Sequence, residues 1–282
     1  MRKFVLPILI AAFGLTACNL VESKDSPKAP SKVSYSYACL DSAVGGGRTN
    51  QAIRKTTGFI RDLAVSKKEI TDSVQSNYGE AFHKDAVESK TFVLLNDPAI
   101  NAQLQTVLTQ LLSVREAPSN IRYSIHLIDD KQINAFTFGG YIYLTKAMYD
   151  KIRGNNDLLY SIIGHEIGHS EKGHIKQTIQ ELELSGKLFG DNCMTYFQIK
   201  KLLTGSFNQR NELEADYYGI DLTNQLDKNL CATVAFWKEM ARSENDYSRL
   251  EDFFRTHPFS GLRAQCLQEH IAQNFGRSCS TK

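Results

Sequence analysis

The chain has 282 residues, with 33 Lys+Arg against 31 Asp+Glu, 42% hydrophobic residues and a formal net charge of +2. That is apolar material for one large domain or two small ones, and it excludes a largely disordered chain. The balanced charge gives no electrostatic case for nucleic acid, and only the N-terminus holds a long apolar run, so the body is not a polytopic membrane protein.

Met1-Arg2-Lys3 is a short basic start, and Phe4 to Thr16 is an apolar stretch too short for a comfortable membrane span. Residues 1–17 therefore read as a secretory signal peptide. Leu15-Thr16-Ala17-Cys18 looks like a bacterial lipobox, which predicts cleavage before Cys18 and acylation of that cysteine. Several acyl chains on one residue anchor stably where one holds only marginally. By resemblance to Gram-negative lipoproteins, Asn19 after the cysteine implies sorting to the outer membrane, facing the periplasm. Residues 18–35, with Pro27, Pro30 and many Ser and Lys, read as the lipidated cysteine and a flexible tether.

Beyond Cys18 stand Cys39, Cys193, Cys231, Cys266 and Cys279, an odd number in a compartment that permits disulfides. Sequence does not choose their pairing, although Cys266 and Cys279 flank a short helical stretch and could close a small C-terminal loop. No C-x-x-C occurs, which argues against a zinc ribbon or a thioredoxin-type site.

Residues 36–282 read as one domain. Gly45-Gly46-Gly47 breaks the chain before a polar helical region within 49–90, running from about Thr49 to Lys84, where Ile53, Phe59, Ile60, Leu63 and Ile70 recur at helical spacing. A catalytic core follows over about 95–272. Leu104, Val107, Leu108, Leu111 and Leu112 share one face of a helix predicted over Asn101 to Arg115. Ile121 to Ile128 alternates as a strand does, and Asn134 to Phe138 and Tyr141 to Leu144 read as two short strands around the turn Gly139-Gly140. After Thr145 the pattern is almost wholly helical. The class is α+β, a small sheet beside a mainly helical body.

The run Asp157 to His169 carries the chemistry. Asn155, Asn156 or Asp157 can cap its helix, and Leu158, Leu159, Ile162 and Ile163 give it a buried face. His165 and His169 are four residues apart, so both imidazoles project from one face and can hold two positions of a tetrahedral Zn²⁺. Glu166, rotated by about 100° from His165, reaches a water beside the metal. Gly164 and Gly168 lower helix propensity by roughly 1 kcal/mol each relative to Ala, which a close neighbouring backbone would account for.

A third ligand is expected from a downstream helix. In Asn211-Glu212-Leu213-Glu214-Ala215-Asp216, Glu212 and Asp216 share a face and Glu214 points away. Glu212 is the expected ligand, with Asp216 accepting the free ring N–H of a zinc-bound histidine. His174 reads as a helix-end residue or a hydrogen-bonding partner of the site. Thr256-His257-Pro258 would end a helix over Asn245–Arg255. His257 could steady an oxyanion or occupy a fourth metal position at rest, and Arg263 could hold local geometry or bind a substrate carbonyl.

These motifs resemble the HtpX, Ste-type CAAX prenyl protease and BepA/LoiP group of gluzincin metallopeptidases. The matching residues are His165-Glu166-Ile167-Gly168-His169, the E-x-x-A-D element Glu212 to Asp216, His257-Pro258 with Arg263, and Asn134-Ala135-Phe136 followed by Gly139-Gly140. The resemblance covers roughly Leu95 to Leu267. It implies a zincin-like fold, one Zn²⁺ per chain and metalloendopeptidase activity, with Glu212 as third ligand and Glu166, His257 and Arg263 as active-site groups. It also implies a substrate-binding strand around Asn134, Ala135, Phe136, Gly139 and Gly140. Such a strand reads backbone rather than side chains, so unfolded or misassembled envelope proteins are the expected substrates, with outer-membrane assembly factors as further partners. The apolar spans of HtpX and the prenyl proteases, and the tetratricopeptide-like array of BepA, have no counterpart in the sequence. The rival expectation is a chaperone-like, peptide-binding lipoprotein whose zinc site is latent under His257.

Overall fold

A computed structural model describes residues 33–41, 66–189, 207–242, 257 and 261–279. Cys18, Cys193, Pro258, residues 42–65 and the helix expected over 245–255 lie outside these. In chain order the helices are α1 (Ala38–Asp41), α2 (Asp72–Glu88), α3 (Pro98–Ser113), α4 (Lys146–Ile152), α5 (Asn156–Glu171), α6 (His174–Phe189), α7 (Gln209–Gln225), α8 (Leu230–Arg242) and α9 (Gly261–Phe275). The strands are β1 (Ser124–Ile128), β2 (Ala135–Phe138) and β3 (Tyr141–Thr145).

Local sequence starts most of the long helices. Thr71, Asp97, Thr145, Asn155 and Asn208 each turn a side-chain oxygen onto the free backbone N–H groups of the first turn. Pro98 follows Asp97 at the first helical position, where its missing N–H is no loss. Asn211 returns a reciprocal bond to Asn208 and closes a capping box on α7.

The sheet order is β1-β3-β2, with β1 parallel and β2 antiparallel to β3. Its two faces alternate as strand geometry requires. Ala135, Ile142 and Leu144 enter the main core against α3 and α5, while Phe136, Phe138, Tyr141 and Tyr143 face a second cluster with Phe82 of α2 and Ile175, Ile179 and Leu182 of α6. The outer edge of β1 is covered by chain at 93–95, where Leu95 N–H donates to Leu127 O and Leu94 bridges Ile128. That leaves β2 as the other edge. The turn between β2 and β3 uses Gly139 and Gly140 at φ 63° and 95°, and a Cβ on Gly139 would lie 2.3 Å from Gly79 N of α2.

Helix α5 is buried from Leu158 to Ser170, with both polar and apolar residues enclosed. Its main neighbour is α7, and the contact is backbone on backbone. A Cβ at Gly168 would meet Ala215 O at 2.8 Å, and one at Gly164 would meet Gly219 Cα at 3.0 Å. The two glycines that weaken the helix thus let α7 approach closely enough for Glu212 to reach the histidines.

Two disulfides tie the C-terminal part, Cys39–Cys266 and Cys231–Cys279. The expected Cys266–Cys279 loop is therefore incorrect. Cys266 lies inside α9, fully buried, and the helix runs on to Phe275, a rise of roughly 14 Å at 1.5 Å per residue. That exceeds what a disulfide spans. The tether was expected to run to Tyr35, yet Ser34 already exchanges hydrogen bonds with Asn274, and Tyr35 Oη donates to Asp221 at 2.6 Å.

Candidate active site

Helices α5 and α7 bring the three expected ligands together, and His257 joins them. One donor atom from each of His165, His169, Glu212 and His257 lies within 4.8 Å of the others, and all four residues are buried. His165 Nε2 and His169 Nε2 face each other at 3.0 Å, and His257 Nδ1 is 3.2 Å from His165 Nε2 and 3.1 Å from Glu212 Oε2.

The outer ring nitrogens are already committed. His165 Nδ1 donates to Asp216 Oδ1 at 2.8 Å, and His257 Nε2 donates to the backbone carbonyl of Ala135 at 2.9 Å. His169 Nδ1 meets His174 Nδ1 at 3.1 Å. With each proton on the outer nitrogen, three inner lone pairs converge with no proton to share. Glu166 Oε2 and Glu212 Oε1 are buried there without a hydrogen-bond partner. Converging lone pairs and unpartnered carboxylate oxygens are what a cation satisfies, and a nitrogen–oxygen donor set of this size suits Zn²⁺. The residues fit the metal.

Arg263 anchors the oxygen side. Its Nε and Nη2 donate to both oxygens of Asp216 at 2.8 and 2.9 Å, and Nη1 is 3.0 Å from Glu212 Oε2. Its fully buried guanidinium is spent on these carboxylates, so of its two expected roles the geometry matches holding local structure. Burial disfavours charge on Asp216 and Glu212, but Arg263 outweighs it at Asp216, and His257, His169 and Arg263 together hold Glu212 well below the usual carboxylate range. Burial likewise disfavours a charged His165, yet Asp216 and Glu212 outweigh it and raise its pKa to about 10, so a metal bound at Nε2 would displace the inner proton and leave Nδ1–H on Asp216. Burial holds His169 neutral, well below the usual imidazole value, and pushes Glu166 upward against the pull of His257 and His165. Glu166 Oε1 lies 3.5 Å from His257 Nε2, beside the donor set, where a carboxyl can act as a general base.

Of the five strand residues expected to bind substrate, only Ala135 reaches the centre, through the carbonyl that His257 holds. Asn134 is buried, bonded through its backbone to Thr145. Phe136 faces the second core cluster, and Gly139 and Gly140 form the turn packed on α2 and on Arg122 O. Glu214, read from sequence as pointing away, accepts from His174 Nε2 at 3.2 Å and from Arg210 Nε at 3.0 Å. Helical spacing did place it off the Glu212 face. What spacing lacked was α6, which begins at His174 and lies on that other face. Phe207, stacked on His169 at 4.2 Å between ring centres, carried no signal in the sequence.

Residues 98–271 match Peptidase family M48, a stretch that includes every candidate metal ligand. Over 182 residues the chain is 26% identical to the mitochondrial metalloendopeptidase OMA1 of Schizosaccharomyces pombe, covering 59% of this chain and 52% of that protein. It is 27% identical over 165 residues to the metalloprotease LoiP of Escherichia coli, covering 54% and 63%. Against the β-barrel assembly-enhancing protease of Escherichia coli the identity is 26% over 191 residues, covering 60% and 38%. The chain spans less than two thirds of the length of each. The buried two-histidine, one-glutamate centre and the long family match lead to one conclusion: the chain belongs to Peptidase family M48, the zinc-using metallopeptidases.

Proposed function

We propose that this protein is a zinc-dependent endopeptidase of the bacterial cell envelope that cleaves unfolded or misassembled envelope proteins. The observation that carries the reading is Glu166 beside a buried donor set of His165, His169 and Glu212. Zinc held there supplies Lewis acidity, making water nucleophilic at neutral pH and polarising the scissile carbonyl. Glu166 takes the proton of the attacking water and delivers it to the leaving amine. His257, fixed by Ala135 O, donates to the developing oxyanion once it turns its Nε2 inward, a contribution of a few kcal/mol for one such donor. Arg263 and Asp216 hold Glu212 and His165 in place. β2 is the edge of the described sheet, and an extended substrate that uncovers and pairs with it would be read through its backbone, which selects for unfolded chain over any particular side chain.

Residues 1–17 serve as the signal peptide, Cys18 as the lipid anchor, the chain from there to residue 33 as the tether and 34–282 as the peptidase domain, the hydrogen bonds of Ser34 and Tyr35 setting that boundary. This places the enzyme on the outer membrane, facing the periplasm. One relative is named for enhancing β-barrel assembly, which supports outer-membrane assembly factors as partners here.

A second reading is favoured by one feature. His257 Nδ1 lies among the metal donors while Nε2 is bonded to β2, so His257 can cap the zinc at rest. In that state the protein holds peptides as a chaperone-like lipoprotein. Cleavage of unfolded casein by the zinc-loaded protein tests both. The peptidase reading expects cleavage by wild type and a loss of 10²-fold or more in Glu166→Gln with zinc retained. Zinc-loaded wild type that fails to cleave, while Glu166→Gln still restores envelope function to a deletion strain, would favour the chaperone reading.

A further inference from the structure

The two histidine ligands are supported differently. His165 meets its carboxylate directly, through Asp216 at 2.8 Å. His169 has no carboxylate on its Nδ1. It meets His174 Nδ1 at 3.1 Å, His174 Nε2 meets Glu214 Oε2 at 3.2 Å, and Glu214 Oε1 accepts from Arg210 Nε at 3.0 Å. The directions of these bonds follow from the end of the chain. An ionised carboxylate only accepts, so His174 carries its proton on Nε2, its Nδ1 is an acceptor, and His169 must place its own proton on Nδ1. That leaves the lone pair of His169 Nε2 facing His165 and Glu212. Each of the four ring nitrogens then faces a group it can bond or coordinate.

Backbone and packing fix the same arrangement. Between α5 and α6 the chain turns at Gly173, whose φ of 76° is open to glycine at little strain. That turn lays the first residue of α6 back against the last turn of α5. Both imidazoles are buried, and Phe207 stacks on His169 at 4.2 Å and lies 6.0 Å from His174 between ring centres.

We propose that His174 and Glu214 are positioning residues for zinc: Glu214 sets the tautomer of His174, and His174 sets the tautomer and ring orientation of His169. The proposal rests on the zinc site described above, and it assigns a metal-affinity role to two residues that touch neither metal nor substrate. Acting through another group, they differ from Glu166, and the effect on zinc affinity is that of a lost outer hydrogen bond, typically 10–100-fold.

The test is zinc affinity of the full chain by competition with a chelator, with urea unfolding of the zinc-free protein alongside. His174→Ala is expected to bind zinc 10–100-fold more weakly than wild type. Glu214→Ala should weaken it in the same direction by less, and the double variant should be no weaker than His174→Ala, because Glu214 acts through His174. His174→Asn, which returns an oxygen acceptor close to the lost Nδ1, should recover most of the loss. A merely structural role predicts instead a lower unfolding midpoint with unchanged zinc affinity. Affinity within twofold of wild type in both His174→Ala and Glu214→Ala overturns the proposal. If His174→Ala does not fold, Glu214→Ala decides alone. Wild type and Glu212→Ala in the same series separate the two claims: loss of zinc in Glu212→Ala with unaltered affinity in both His174→Ala and Glu214→Ala sinks this inference and leaves the site standing, whereas wild type without zinc sinks both.

Discussion

At the scale of residues, the site is a set of side chains whose outer atoms are held by neighbours so that their inner atoms turn toward one another. Asp216 is the clearest case. It fixes His165 and is itself clamped by two donors of Arg263. Asp216→Asn keeps the shape and removes the charge, so zinc affinity should fall about 10–100-fold, and the zinc-free protein should lose on the order of 3 kcal/mol because buried Arg263 keeps only part of its counter-charge. Chelator competition and denaturant unfolding read the two effects, and an unchanged affinity would remove Asp216 from the site. Much at this scale was legible in advance, because helical spacing dictates that His165 and His169, or Glu212 and Asp216, share a face. Glu214 was rightly read as lying off the Glu212 face, but its part in the site was not legible. Spacing says which residues share a face of one helix, and nothing of which helix lies against the other face.

At the scale of elements, the α5–α7 contact sets the metal geometry. A Cβ at Gly219 would come within 2.7 Å of His165 N and 2.9 Å of Gly164 C, both backbone atoms that can move only with their helices. Gly219→Ala should therefore destabilise the fold by about 1–3 kcal/mol and weaken zinc binding. Gly154→Ala, with nothing within 4 Å of the added methyl, should leave both unchanged. Equal unfolding midpoints for the two variants would contradict this packing account. The β1–β3 face supplies a pH effect away from the metal. His126 stacks on His83, which in turn stacks on Tyr141, and burial, with the nearby His83, lowers the His126 pKa to about 4. The unfolded chain then binds the extra proton between about pH 6.5 and 4, so stability should fall as pH drops through that window. His126→Phe should flatten the decline by on the order of 2 kcal/mol, and an identical pH dependence in the variant would rule His126 out. Strands and helices here followed from period and turn residues, and α3, β1 and the β2–β3 hairpin fall close to the expected bounds, whereas α2 starts only at Asp72, capped by Thr71, inside a helical region expected from Thr49. The strand order did not follow, because a parallel β1–β3 pair depends on contacts between distant parts of the chain.

At the scale of the molecule, the segment 34–41 is bound to the helices that carry the site. Tyr217 Oη donates to Ser36 O at 2.6 Å, Arg210 lies over Tyr37 at 4.2 Å, and Cys39 is bonded to Cys266, one helical turn after Arg263. The closed loop is 227 residues long, so reduction of this bond releases a large chain entropy to the unfolded state. Reducing agent, or Cys39→Ser, should lower stability by about 2–5 kcal/mol, and an unaltered unfolding midpoint in Cys39→Ser would deny the bond. Pairing of this kind was not legible, since it joins cysteines that only the folded chain brings together. Membership of Peptidase family M48 and the small sheet beside a helical body were legible, because the motifs that carry them are local. The central claim is that this chain builds a zinc centre from α5, α7 and His257. The most direct measurement is zinc content, by elemental analysis, of wild type and Glu212→Ala purified side by side and dialysed against the same zinc-free buffer. The account predicts close to one zinc per chain in wild type and its loss in Glu212→Ala; a zinc-free wild type, or a variant that keeps the metal equally well, would contradict it.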